Sequence, residues 1–372
     1  MKVLHVIPNL NIGGAERIVQ DICLEIKNNN DIKLITFDNT ISKLNSKHSF
    51  HIHIPSYFKP SITSNSILKI DEIKKFISEY KPDIIHSHLW ASEILLTQIE
   101  IGKAKRLSHF HDNMTQLNKC NLPKTKLDIT NRYERWIYLK ENKNHFICIS
   151  KDTFNYAKKI LPKKLHSNIT LIPNAINYNK FNSNSEKELE TIRLINIGSF
   201  VPKKNQKFAI DILIEILNKK IITQLTFLGD GNMIEQVKTY AKQKGVSKYI
   251  NFMGNVDDVP AKLKNANIYL HTAYYEPFGL VILEAMASNL PVVSLDGIGN
   301  RDIINNEENG YIIKEQNAEV FANIIIELFR NNKLYNKISN AGNNTAKRHD
   351  IKEYVNKLLE IYKASISSTN RQ

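Results

Sequence analysis

Between residues 3 and 313, short apolar runs alternate with stretches whose apolar positions recur at helical spacing, and this alternation limits what the chain can fold into. A strand followed by a helix before the next strand cannot close a hairpin, so neighbouring strands are parallel and helices cover both faces of the sheet. Runs at 3–7, 33–37, 83–88, 106–111, 145–149 and 168–172 form one such series, with the alternating segment Phe50-His51-Ile52-His53-Ile54 beside it. A second series starts at 193–197 and continues through 225–228, 249–253, 268–272, 291–294 and 309–313. Helical patterns at 318–330, 333–348 and 351–365 follow it. Between the series, residues 180–190 carry Asn-Ser-Asn-Ser and alternating charge, the composition of a linker. A chain of 372 residues is long enough for two cores. The expected organisation is two doubly wound α/β domains, 1–180 and 181–350, with 351–372 as a final helix and tail.

Composition removes several classes. No run approaches the ~18–20 apolar residues of a spanning helix, and the apolar start at residues 3–7 is too short for a secretory leader. Cys23, Cys120 and Cys148 are scattered without Cys-x-x-Cys spacing, so neither a disulfide framework nor a zinc ribbon is expected, and a cytoplasmic location is. The pairs His51/His53, His86/His88 and His109/His111 invite a metal. Alternation in separate strands produces such pairs by chance, however, and no carboxylate spacing completes a ligand set, so no metal is expected. The formal net charge is +14, with 26 Lys and Arg against 16 Asp and Glu up to Ala175, and 25 against 21 after it. A basic first half suits an anionic partner. No base-stacking module or recognition helix accompanies the charge, so nucleic acid is not the expected one.

The chemistry concentrates in Tyr275-Glu276-Pro277-Phe278-Gly279-Leu280-Val281-Ile282-Leu283-Glu284. Pro277 and Gly279 fit a loop that leaves the strand 268–272, and residues 280–287 read as an apolar helix. The first amides of that helix, at Gly279, Leu280 and Val281, have no intrahelical partner and with the helix dipole favour a phosphate. Glu284 lies one turn further on and leans back toward the same end, able to accept two hydrogen bonds from a vicinal diol. Glu276 stands on the other side. Two carboxylates bracketing an anion hole point to a nucleotide-sugar.

This stretch resembles the E-x7-E signature of retaining glycosyltransferases with the GT-B fold, in particular family 4. The resemblance implies two Rossmann-like domains facing a central cleft, with the last helix crossing back to the first domain. It implies that Glu276 contacts the donor sugar and that Glu284 holds the ribose. Further motifs follow in the family's order. Gly13-Gly14-Ala15-Glu16 after the first strand matches its opening glycine pair, and His111 matches its histidine near the reacting carbon. Ser150 stands at its strand-end serine, and Asn174 in Pro173-Asn174-Ala175-Ile176-Asn177 at its cleft asparagine. Lys204 falls at its diphosphate-binding lysine, whereas Ser199 replaces its arginine, with Arg301 in the Gly-rich segment 296–302 as a candidate for the missing charge. Gly254-Asn255-Val256 matches the segment whose backbone holds the base. The implied catalytic residues are His111, Glu276 and Lys204. The implied donor contacts are Gly14, Asn174, Ser199, Lys204, Asn255, Phe278, Gly279, Leu280, Val281 and Glu284. The implied acceptor contacts are Gly13, Gly14, His111 and Ser150.

The expected function is transfer, with retention, of a hexose or N-acetylhexosamine from a nucleotide-diphosphate sugar, UDP-linked by preference. The acceptor would be a glycan or polyprenyl-diphosphate-linked glycan in bacterial surface polysaccharide synthesis. No cofactor or metal is expected, and the absence of any Asp-x-Asp agrees with that. Residues 127–142 interleave Tyr133, Trp136 and Tyr138 with Arg132, Arg135 and Lys140, a mix suited to the anionic inner face of the plasma membrane. The same aromatics could instead pack inside the first domain. A sugar-nucleotide epimerase of the same fold and a non-catalytic nucleotide-sugar-binding protein are the alternatives.

Overall fold

The structure, a computed structural model, describes residues 1–38, 48–59, 67–116, 144–182 and 190–367. The described residues divide into two compact units. The first runs from Met1 to Asn174 and takes back the C-terminal helix from Ile351; the second is Ala175–Asp350. Residues 183–189 of the linker-like stretch and the whole of 127–142 lie outside the described residues.

In the first unit the strands are β1 (Lys2–Ile7), β2 (Asp31–Thr36), β3 (His51–His53), the short pair β4 (Tyr57–Lys59) and β5 (Ile67–Lys69), then β6 (Ile84–His88), β7 (Lys105–Phe110), β8 (His145–Cys148) and β9 (Ile169–Leu171). Seven of them form one parallel sheet in the order β3-β2-β1-β6-β7-β8-β9, while β4 and β5 pair antiparallel. Strands β1 and β6 are buried almost end to end, as expected where helices cover both faces. Helices Gly14–Ile26 and Ile351–Ser367 pack together over this sheet. Helix Trp90–Leu96, which the sequence pattern does not reveal, follows β6 directly.

The second unit repeats the plan with β10 (Ile192–Ile197), β11 (Thr223–Leu228), β12 (Ile250–Phe252), β13 (Ile268–His271), β14 (Val292–Leu295) and β15 (Tyr311–Ile313), all parallel in the order β12-β11-β10-β13-β14-β15. Its core gathers Phe208, Leu213, Phe227, Leu270, Phe321 and Ile325 between the sheet and helices Gln206–Asn218 and Ala318–Arg330. In each sheet the direction of winding reverses once, between β1 and β6 and between β10 and β13. Ligands of such sheets bind outside the carboxyl ends of the strands at that reversal. Among the described residues no helix is long and apolar enough to cross a membrane.

Candidate active site

In the second unit the reversal lies between the ends of β10 and β13, and the turns that leave them are tied together. Lys203 and Lys204 follow β10 in a tight turn. The Lys204 carbonyl accepts from Thr272 Oγ1 at 2.9 Å and the Lys203 carbonyl from the Tyr274 amide at 3.1 Å. This brings Lys204 Nζ to 2.5 Å from Glu276 Oε2, with both side chains largely buried. His271, the last residue of β13, places Nε2 3.4 Å from the same oxygen and Nδ1 3.2 Å from Tyr269 Oη. Burial opposes the charge on Glu276, but the Lys204 ammonium and His271 outweigh it and hold the carboxyl well below the usual carboxylate range. Glu276 is therefore an anion anchored by a cation. The sequence motif does not include His271, although a histidine closing an otherwise apolar strand beside the motif is a readable signal.

The segment 296–302 forms the other wall. Glu276 N donates to the Gly297 carbonyl at 2.8 Å, and Gly299 N donates back to the Glu276 carbonyl at 3.0 Å. Gly299 also donates to Gly297 at 3.0 Å around Ile298, whose φ of 76° and ψ of −68° make a γ-turn that a β-branched residue adopts only under strain. A Cβ at Gly299 would collide with the Pro277 carbonyl. Fully buried Asn300 braces the loop, accepting from Gly297 N at 3.0 Å and donating to Ser294 Oγ and the Leu295 carbonyl at 2.8 Å each. Arg301 does not supply a free cation here. Its guanidinium grips Asp296 with bonds of 2.5, 2.8 and 3.0 Å, a bidentate pair that neutralises both groups locally.

Gly279 caps helix Leu280–Ala287 in the left-handed region at φ 107°, where a Cβ would come within 2.8 Å of Ile282 Cδ1. Glycine thus serves both the turn and close approach to the helix start. Seven of the helix's eight residues are buried, which fixes its N-terminus rigidly beside Glu276. Glu284 is fully buried one turn in, and Tyr269 feels both carboxylates: burial first, then Glu276 and Glu284, raise its phenol. The Phe278 ring is buried 6.0 Å from His349. Ser199 and Asn255 are exposed; the Ser199 carbonyl accepts from Gln206 at 3.0 Å, and Gly254 beside Asn255 accepts from the Gly229 amide at 2.7 Å.

In the first unit, parallel register lines histidines into a ladder. His5 is paired with His86, and His88 with His109. Five imidazoles, His5, His86, His88, His109 and His111, are buried together. His5 Nδ1 lies 2.9 Å from His88 Nε2, and His88 Nδ1 3.1 Å from His111 Nε2. Tyr362 of the C-terminal helix bonds His86 Nδ1 at 2.6 Å, and Tyr354 lies 3.4 Å from His109 Nε2. Burial pushes all five pKa values down, those of His5 and His111 to about 3. The triads His5/His86/His88 and His88/His109/His111 bring ligand atoms within 4.8 Å, close enough for a metal, but both nitrogens of His88 are already hydrogen-bonded. The third pair, His51 and His53, instead bonds Thr36 Oγ1, each at 2.9 Å.

His111 lines a pocket of ≈ 250 Å³ with Leu89, Trp90, Asp112 and Met114. Glu93, which also lines it, accepts from Arg106 at 2.8 Å, Ser87 at 2.5 Å and Ser108 at 2.9 Å. Gly13 caps helix Gly14–Ile26 beneath the Glu16 carboxylate, and Gly14 is exposed. Asn174 is buried. Ser150 is not open to an acceptor: its hydroxyl is wholly buried and caps helix Lys151–Ile160 by accepting from Thr153 N at 3.2 Å. A strand-end serine before a helix reads equally well as cap or contact, and the backbone took it.

Comparison with known proteins agrees with this fold. The family described as Glycosyltransferase Family 4 matches residues 12–180, and Glycosyl transferases group 1 matches residues 178–345. An Escherichia coli UDP-Gal:alpha-D-GlcNAc-diphosphoundecaprenol alpha-1,3-galactosyltransferase is 24% identical over 334 residues, covering 83% of this chain and 84% of its own. The Staphylococcus aureus capsular polysaccharide biosynthesis glycosyltransferase CapH is 26% identical over 317 residues, covering 79% and 81%. Among solved structures, Anabaena Alr3699/HepE in complex with UDP and glucose superposes with a TM-score of 0.78 at 18% identity, covering 97% of this chain and 98% of that one. Two doubly wound units, matched in order by the two family descriptions and in fold by HepE, make this chain a GT-B glycosyltransferase like those of family 4.

Proposed function

We propose that the protein transfers a hexose or N-acetylhexosamine from a UDP-sugar to a lipid-linked glycan during bacterial surface polysaccharide synthesis, with retention and without a metal. The observation that carries the reading is the Lys204–Glu276–His271 cluster beside the Gly279-capped helix. An ammonium has three donors, so Lys204 can hold Glu276 and a diphosphate oxygen together. With the amides of Gly279, Leu280 and Val281 it stabilises charge gathering on the leaving diphosphate. Glu276 then accepts from a hydroxyl of the sugar, and buried Glu284 accepts from the ribose diol. The choice of UDP is supported by the E. coli relative, whose name specifies UDP-Gal, and by HepE, which was solved with UDP. The choice of acceptor is supported by that relative's diphosphoundecaprenol substrate and by the capsule assignment of CapH. The basic first half supports attachment to an anionic leaflet, where each cation contributes about 1 kcal/mol.

The purified chain is incubated with a panel of UDP- and GDP-sugars and a polyprenyl-diphosphate glycan, with and without EDTA. Transfer from one UDP-sugar, an anomeric coupling in the product that matches the donor's, and unchanged rate in EDTA are expected. An inverted linkage, or activity lost to chelator and restored by Mn²⁺, would falsify the mechanistic part. Flotation with anionic and neutral vesicles at rising salt checks the membrane part, which fails if charge makes no difference.

A further inference from the structure

His5, His88 and His111 form a single hydrogen-bonded row that uses both ring nitrogens of His88. A neutral imidazole carries one N–H and one lone pair, so such a row must run in one direction. Its inner end decides which. His5 Nε2 is buried and meets no hydrogen-bond partner. If the row ran inward from His111, that atom would be an N–H donor buried with nothing to bind. If it runs outward, the same atom is only a bare lone pair. An orphaned buried donor is the rarer and costlier defect. His5 Nδ1–H therefore donates to His88 Nε2, and His88 Nδ1–H donates to His111 Nε2, which leaves the proton of His111 on Nδ1.

We propose that His5 and His88 are positioning residues that hold His111 as its Nδ1–H tautomer, so that His111 meets the sugar as a hydrogen-bond donor to a hydroxyl or ether oxygen and not as a base. Free imidazole prefers its proton on Nε2, so this tautomer is imposed by the row. Burial keeps the row neutral, since it lowers the pKa of His5 and His111 to about 3 and that of His88 well below its ordinary value. The row is also held in place. Leu89, next after His88, sits at φ 67° before helix Trp90–Leu96, and His111 stacks on His109 with ring centroids 4.1 Å apart. With Nε2 turned to His88, Nδ1 is the nitrogen that a ligand in the pocket can reach. That the ligand is a sugar rests on the transferase reading; the tautomer does not.

The test is a two-bond ¹H–¹⁵N correlation spectrum of the full chain labelled at histidine, at neutral pH and without ligand, with His111 identified by its loss in His111→Phe. The expected pattern is a protonated Nδ1 and a bare Nε2. His88→Phe should shift the His111 proton to Nε2, whereas His88→Asn, which keeps a donor at the same place, should not. With any donor and acceptor for which transfer is measured, His88→Phe should lower kcat roughly tenfold, the loss of one neutral hydrogen bond, leave UDP affinity unchanged, and be largely rescued in His88→Asn. A wild-type His111 protonated on Nε2 overturns the proposal, as does a His88→Phe variant with a moved proton and wild-type kcat. Should His88→Phe fail to fold, the wild-type spectrum alone decides the direction of the row. If the tautomer is as stated and no nucleotide-sugar is ever turned over, the transferase reading fails and the row stands.

Discussion

The two units share a topology but solve one problem in opposite ways. Each brings polar side chains to the buried carboxyl ends of parallel strands. In the second unit the group is charged: Glu276 keeps its anion because Lys204 and His271 lie against it. In the first unit the group is neutral, with five imidazoles satisfied largely by one another and by Tyr354 and Tyr362. The difference follows the task. A diphosphate calls for fixed positive charge, and a buried cation lasts only with a counter-ion. Neutral donors suffice to orient hydroxyl groups.

Acid should separate the two most strongly. The five histidines have folded pKa values below their unfolded ones, so the unfolded chain binds more protons and stability rises with pH. Below about pH 6 each should lose roughly 1 kcal/mol per pH unit, which five together turn into most of a domain's stability within one or two units. Glu276 is also depressed, but its contribution is complete above its ordinary value of 4.5 and drains only as pH falls below that. Thermal unfolding followed from pH 7.5 to 4 should show the first unit melting early with proton uptake. A flat profile down to pH 5 would break the comparison.

Among the described residues, the buried pair Arg106–Glu93 is a charged exception within the first unit. Arg106→Met leaves Glu93 buried without its cation and should cost about 3–5 kcal/mol, read from denaturant midpoints. Lys204→Met tests the charged site itself. It should lower kcat by roughly 10²–10³, the range for losing one preorganised donor to a developing anion, with a smaller loss of stability. If kcat stays within twofold, Lys204 only anchors Glu276. The smallest effect belongs to Ser150→Ala: as a helix cap it should cost about 1 kcal/mol with unchanged transfer, whereas a rise in acceptor KM alone would restore it as a contact.

Much of this is legible in the chain. The strand–loop–helix around Glu276 and Gly279 is readable because its residues are neighbours in sequence, and helix Leu280–Ala287 begins and ends where its apolar run does. The assignments that change involve competition for a partner. Arg301 goes to Asp296, and the Ser150 hydroxyl goes to the helix that it starts. Nothing in a motif says which of two reachable partners a side chain will take.

By itself the sequence determined the two α/β halves and the composition of the donor motif, because strand period, helix period and turn residues act over a few positions. Only the tertiary structure decided that Lys204 meets Glu276 across 72 positions and that His5 comes to lie beside His88 across 83. Period-two alternation shows which face of a strand a histidine occupies, but not which strands are neighbours or in what register. Strand order and register come from packing whole sheets between helices. In this protein those two choices turned scattered His-x-His pairs into a directed row ending at His111.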